Sequence, residues 1–229
     1  MKSDVLLSHS TDLERGDFYK KTYIHVAFAI LAFTGVEAFL LNVVPAELIF
    51  MMLGQKYSWL LILGVFWLGS FMATKWSLSQ SKSTQYLGLG LSVLLYSVIF
   101  LPMIYMALLQ DGTGNLILQA ATLTIAMFAG ISAVAFTSKR DFSFLRNIIT
   151  IGGFIALGLI VGGMIFGFNL GLWFSVGMVI LASASILYET SKLKNTYGTQ
   201  QYVGAALQLF ASIMLLFWYI LRILMSRRS

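Results

Sequence analysis

Few residues in this 229-residue sequence could do chemistry inside an apolar medium. Two carboxyls, Glu37 and Glu189, stand within its long hydrophobic runs. His25 opens the first run and Lys75 closes the second, while Asn42, Gln119, Gln208 and Ser212 add neutral polar groups. Ionisable side chains at membrane depth are costly, rare and usually face an interior cavity, which makes them the default functional candidates. Glu189 ends the run Ile186-Leu187-Tyr188 and has Ser185 one turn back on the same face. It also suits a helix-end anion reaching the headgroups beside Lys192. Gln208 and Ser212 are four apart and share a face, where they either line a polar seam or simply hydrogen-bond to a neighbouring helix. Glu37 has no partner nearby in sequence and is a candidate proton-sensing group. Lys75 is a candidate counter-charge at the cytoplasmic mouth of a pore. Together these residue types suit the passage of a cation or proton, not bond breaking.

Missing residues narrow the chemistry further. The absence of cysteine removes structural disulfides, thiolate metal sites and a cysteine nucleophile. A retinal-type Schiff base needs a lysine in the last run, and none lies between Tyr202 and Met225. An intramembrane zinc hydrolase needs several ligands, whereas the runs hold one histidine and two acids. Serine hydrolysis would have only His25 as its base. No catalytic residue, cofactor or metal ligand set is therefore nominated, and no enzymatic activity is expected. The net charge of +6 comes from lysines and arginines scattered through short polar breaks, so no basic face for nucleic acid forms.

The elements that position these residues follow from composition. Hydrophobic residues make up 59% of the chain and charged residues 10%, against roughly 45–50% and about 25% in soluble domains. A span needs about 20 predominantly apolar residues. Seven stretches qualify: Tyr23–Val44, Tyr57–Thr74, Tyr86–Leu109, Leu116–Thr137, Leu145–Phe168, Leu170–Tyr188 and Tyr202–Met225. The breaks carry turn chemistry at Pro45, at Asp111-Gly112-Thr113-Gly114 and from Asn195 to Gly198. This predicts an all-α integral membrane protein with three parts: a polar cytoplasmic tail over 1–22, a seven-helix domain over 23–225 and a short C-terminal tail over 226–229. The polar N-terminal stretch lacks the apolar core of a cleaved signal peptide.

Cytoplasmic loops are enriched in Lys and Arg. With the N-terminus inside, eleven fall on the cytoplasmic side: Lys2, Arg15, Lys20, Lys21, Lys75, Lys82, Lys139, Arg140, Arg146, Lys192 and Lys194. Four fall outside, namely Lys56, Arg222, Arg227 and Arg228. Seven spans put the C-terminus on the outer side, which is the periplasm if the chain is bacterial. The three terminal arginines argue against a complete last crossing and allow a re-entrant one. Small residues mark contact faces in lipid, so Gly158 with Gly162 and Gly163 with Gly167 predict a tightly buried fifth span. Pro102, with Gly88 and Gly90, is expected to kink or thin the third.

Two segments add a resemblance. Lys139-Arg140-Asp141-Phe142-Ser143-Phe144-Leu145 resembles the basic-basic-Asp-x-Ser-Phe-Leu signature of the Bax inhibitor-1 (TMBIM) family, giving Asp141, Ser143 and Phe144 as family-motif residues. Ile186-Leu187-Tyr188-Glu189-Thr190-Ser191 resembles the family's Ile-Leu-Tyr-acidic motif in the form of its bacterial YccA-like branch. The resemblance covers essentially the whole chain. It implies six helices around a central seventh. It also implies a calcium-leak route in members whose sixth and seventh helices each carry a carboxylate of a proton-sharing pair. Glu189 corresponds to the first acid. Ser212 stands at the second position, so the pair is absent here. For the YccA-like branch the resemblance implies a substrate and modulator of the membrane-anchored ATP-dependent protease FtsH in the bacterial inner membrane. Met1, Lys2, Ser3 and Asp4 would then be the handle that the protease grips. The alternative is a pH-sensitive calcium or proton leak lined by Glu189, Gln208 and Ser212.

Overall fold

The computed structural model describes residues 6–7, 10–54, 56–194 and 196–227. Eight α-helices follow one another: α1 Asp12–Val43, α2 Ala46–Gly54, α3 Lys56–Ser77, α4 Lys82–Asp111, α5 Asn115–Thr137, α6 Leu145–Phe166, α7 Gly171–Lys192 and α8 Tyr202–Ser226. All except α2 are long and apolar enough to cross a membrane. The seven expected spans are thus found in order, as an all-α membrane fold.

The local chemistry explains most boundaries. Thr11 and Glu14 form a capping box: the Thr11 hydroxyl accepts from the Glu14 amide at 3.3 Å, and the Thr11 amide donates to Glu14 Oε2 at 3.0 Å. This cap starts α1 at Asp12, so residues 12–22 form the first turns of the helix. At 32 residues α1 is about 48 Å long, well beyond a hydrocarbon slab of about 30 Å. Val44 is extended before Pro45 (φ −82°, ψ 120°), as steric conflict with the proline ring demands. The Pro45 carbonyl then receives the Leu48 amide at 3.1 Å and opens α2. At nine residues, α2 is too short to cross. Asp111 Oδ2 accepts from the Leu116 amide and the Thr113 hydroxyl, each at 3.0 Å, which fixes the α4–α5 turn. Pro102 is accommodated inside an unbroken α4. Gly167 ends α6 in the left-handed region (φ 78°), where a Cβ would be strained. The last helix is unbroken over its 25 residues, with no fold-back that a re-entrant segment would need.

The chain divides into two compact units, Met1–Pro102 with Lys192–Ala211, and Met103–Ser191 with Ser212–Ser229. In the first, aromatic edges interlock: Phe33 on Phe100 (5.3 Å), Phe66 on Tyr96 (5.1 Å) and Tyr96 on Phe210 (5.4 Å). Two glycines let backbones close in. A Cβ on Gly88 would lie 2.5 Å from the Ala73 carbonyl oxygen, and one on Gly204 would lie 2.7 Å from that of Ser77. The N-terminal segment belongs to this unit. Leu7 is fully buried, its amide donates to the Tyr197 carbonyl at 3.0 Å, and Leu6 pairs with Gly198 in an antiparallel bridge. In the second unit Ala156, Met178 and Tyr219 form a core flanked by Phe174, Leu215 and Trp218.

Burial singles out α4 and α8, with 61% and 56% of their most apolar windows buried against 6% for α3 and α6. The tight burial expected for the fifth span is therefore not found. A Cβ on Gly158 would meet nothing within 4 Å, Gly167 lies beyond the helix end, and Gly162 and Gly163 face Phe168 in the following turn. These glycines serve the turn and the lipid face. The close contact on α6 is at Gly152, where a Cβ would lie 2.7 Å from Leu181.

Candidate functional site

The α7 helix presents Ser175, Met178, Ala182, Ile186, Glu189 and Thr190 as its buried stripe, at the three- and four-residue steps of one helix face. Glu189 ends that stripe at 9% exposure. Ser185, one turn earlier, meets Ser212 of α8, the two hydroxyl oxygens lying 2.8 Å apart. Ser212 is 5% exposed, and this hydroxyl pair is a polar stitch between α7 and α8. Gln208 is half-buried, one turn before Ser212 on α8.

The other candidates stand apart from that stitch. Glu37 is 4% exposed, and neither carboxyl oxygen has a hydrogen-bond partner among the described residues. It ends the buried stripe of α1 that runs through Phe18, Thr22, Val26, Ala29 and Phe33. Lys75, the candidate counter-charge, lies exposed in the last turn of α3 and makes no ion pair among the described residues. Met1, Lys2, Ser3 and Asp4 lie outside the described residues. Among the described residues no three His, Asp or Glu side chains gather to hold a metal ion.

Asp141 and Ser143 shape the turn that leads into α6. Asp141 Oδ1 accepts from the Ser143 amide at 2.9 Å and its hydroxyl at 2.6 Å. These bonds hold the exposed carboxyl below the usual carboxylate range. The Arg146 amide then donates to the Ser143 carbonyl at 3.1 Å as the helix begins. Phe144 is 59% exposed. The motif is thus a turn that sets the entry of α6.

A polar cluster that the spacing of charges did not single out joins the middle of α1 to the starts of α4 and α8. His25 Nδ1 is 2.7 Å from the Lys21 carbonyl and donates to it, and Nε2 lies 2.9 Å from the Tyr86 hydroxyl, from which it accepts in the neutral ring. The His25 ring also lies 5.1 Å from that of Tyr202. Lys82 Nζ sits 3.9 Å from the Tyr202 ring centroid and donates to the Gln200 carbonyl, while Lys21 Nζ is 5.6 Å from the same ring. The available signal was that Tyr86 and Tyr202 each open a span, where amphipathic rings gather.

Seven long apolar helices with almost no polar mass between them define a multi-pass helical membrane protein. The family model for "Inhibitor of apoptosis-promoting Bax1" matches residues 15–229. The chain belongs to the Bax inhibitor-1 family. It is 37% identical over 123 residues to an uncharacterized protein of Pseudomonas aeruginosa, covering 53% of this chain and 55% of the relative. It is 30% identical over 230 residues to an uncharacterized protein of Campylobacter jejuni, covering 93% and 89%. It is 30% identical over 117 residues to the Escherichia coli K12 protein named modulator of FtsH protease YccA, covering 51% and 53%. Except for the Campylobacter protein, the match spans about half the length of these relatives. Such likeness agrees with a bacterial, YccA-like member of the family and with an inner-membrane location.

Proposed function

We propose that this chain acts by contact on a membrane-anchored ATP-dependent protease of the FtsH type, as its substrate and modulator in membrane-protein quality control. The observation that carries the reading is Ser212. Where resemblance puts the second acid of a leak pathway, α8 has a hydroxyl engaged by Ser185 at 2.8 Å, and Glu189 has no carboxylate there with which to share a proton. The relative named as a modulator of FtsH protease supports the same reading. An ATP-driven unfoldase needs a chain end to pull, and Met1 to Asp4 would provide it from the cytoplasmic side. Behind that end, the burial of Leu7 against the α7–α8 connection and the capping box at Thr11 oppose extraction. A substrate that is gripped but slow to yield occupies the enzyme. Deleting residues 2–5 tests this: turnover by the purified protease and its inhibition by the chain are both expected to fall. Unchanged turnover and inhibition would overturn the handle.

A second reading, a calcium or proton leak, is favoured by the two buried carboxyls, Glu37 and Glu189. Liposomes holding only this protein distinguish the two. A leak gives a flux that Glu189→Gln changes, whereas a contact modulator gives none and co-purifies with the protease.

A further inference from the structure

A cavity of about 1010 Å³ runs along the outside of the first unit between α1 and α4. This is at the upper end of the roughly 300–1,000 Å³ of pockets that hold small molecules. Its floor is made by small residues: Ala29 and Ala32 on α1, and Gly90 on α4, where a Cβ would meet nothing within 4 Å. Its walls are large exposed apolar side chains, Phe28, Leu87 and Leu94. The lining residues of α1 extend from His25 to Val36 and those of α4 from Ser83 to Leu94. Each stretch is about 16 Å of helix, close to half of a hydrocarbon slab of about 30 Å. The groove is therefore as deep as one leaflet.

Its two ends differ in chemistry. Toward Val36 and Leu94 the lining is wholly apolar, while at the other end stand His25, Trp76, Ser83 and Tyr86. Lys82 directly precedes this end, Lys21 lies one turn before His25, and both ammonium groups stand by the Tyr202 ring. Lys75, exposed, directly precedes Trp76 of the lining. Asp17 shares Lys21 at 2.6 Å, and with Lys82 at the same Tyr202 ring these three groups balance to a positive charge. An aromatic and cationic rim above an apolar trough one leaflet deep is complementary to a negative headgroup with an acyl chain below it. The charge distribution along the chain assigns this end to the cytoplasmic leaflet.

We propose that the α1–α4 groove is a binding site for an anionic phospholipid. One acyl chain lies over Ala29, Ala32 and Gly90, and the phosphate is held at the rim by Lys82 and Lys21, beside His25 and Tyr86. The preference over a zwitterionic lipid comes from the lysines, each contributing roughly fivefold near a membrane surface. The trough itself supplies shape and is indifferent to headgroup.

Photolabelling of the full chain tests the site. The bilayer is phosphatidylcholine with a minor fraction of phosphatidylglycerol whose acyl chain carries a diazirine. Adducts are expected to concentrate at Phe28, Ala32, Leu87 and Leu94 relative to lipid-facing Trp67 and Phe154. The same probe on phosphatidylcholine, which lacks the contribution of the lysines, should enrich the groove positions severalfold less. Lys21→Gln, at an exposed side chain, should lower the phosphatidylglycerol enrichment about fivefold, and Lys82→Gln should lower it similarly. Gly90→Leu, which has room for its side chain, should abolish the enrichment and leave adducts at Phe154 unchanged. Equal groove labelling by the two lipids would overturn the proposal. So would enrichment that survives Gly90→Leu.

Discussion

At Ser212 the proposed reading rests on a chemically small side chain. Its contact with Ser185 is one hydroxyl pair at 2.8 Å, and interhelical hydrogen bonds of this kind contribute about 0.6 kcal/mol on average in membranes. Ser212→Ala should therefore lower stability by about that amount. Adding Ser185→Ala should cost little more, because the two share one bond. Thermal unfolding in detergent across the double-mutant cycle measures both. Asp141 makes a different point at the same scale. Ser143 bonds to its ionised form and holds its pKa below the ordinary carboxylate value. A lowered native pKa stabilises the turn at pH above the ordinary value, and this contribution is lost as pH falls through the lowered one. Ser143→Ala should move the Asp141 titration upward, as followed by NMR of its carboxyl carbon. Spacing could place Ser185, Glu189, Gln208 and Ser212 on faces because helix periodicity is fixed. It could not show that Lys75 turns outward, since a lysine at a helix end is equally able to pair inward or extend into the headgroups.

Among the elements, the long spans were legible because a helix of about 20 apolar residues, repeated seven times in a chain this short, can escape water only by entering a bilayer. Two features were not. The short helix α2 is as apolar as a span but too short for one, and the polar first turns of α1 look like a tail until the cap at Thr11 is seen. Glycines were the least legible, because their spacing is the same whether a face meets a helix or lipid. Gly88 and Gly158 separate these cases. Gly88→Ala drives a Cβ into the backbone of α3, 2.5 Å from the Ala73 oxygen and 2.7 Å from the Ser77 nitrogen. Backbone cannot yield as a side chain can, and overpacking of this sort costs about 1–3 kcal/mol. Gly158→Ala enters open space and replaces the weaker helix former, so it should be neutral or stabilising by up to about 1 kcal/mol. Detergent melting curves for the two variants should shift in opposite directions, or only that of Gly88→Ala should fall.

For the molecule as a whole, resistance to unfolding is unevenly distributed, and the N-terminal segment is the telling place. Outside the bilayer the hydrophobic effect operates as in any soluble protein, and burying a leucine there is worth roughly 1.5–3 kcal/mol. Leu7 is fully buried and its backbone is bonded at Tyr197, while Arg15 Nε donates to the Leu7 carbonyl at 2.9 Å. If these contacts form a local latch, their release leaves the spans intact. Local opening of this sort has a smaller free energy than global unfolding. Leu7→Ala should therefore raise protease cleavage between Leu7 and Thr11 by about 30-fold or more, the equivalent of losing about 2 kcal/mol from a local opening equilibrium. The melting temperature of the spans should be nearly unchanged. Limited proteolysis with mass-spectrometric mapping, run beside a melting curve, reads both quantities. If the melting temperature dropped in step with the rise in cleavage, the segment would be part of the global core, and extraction by an unfoldase would meet one barrier instead of a latch followed by a bundle.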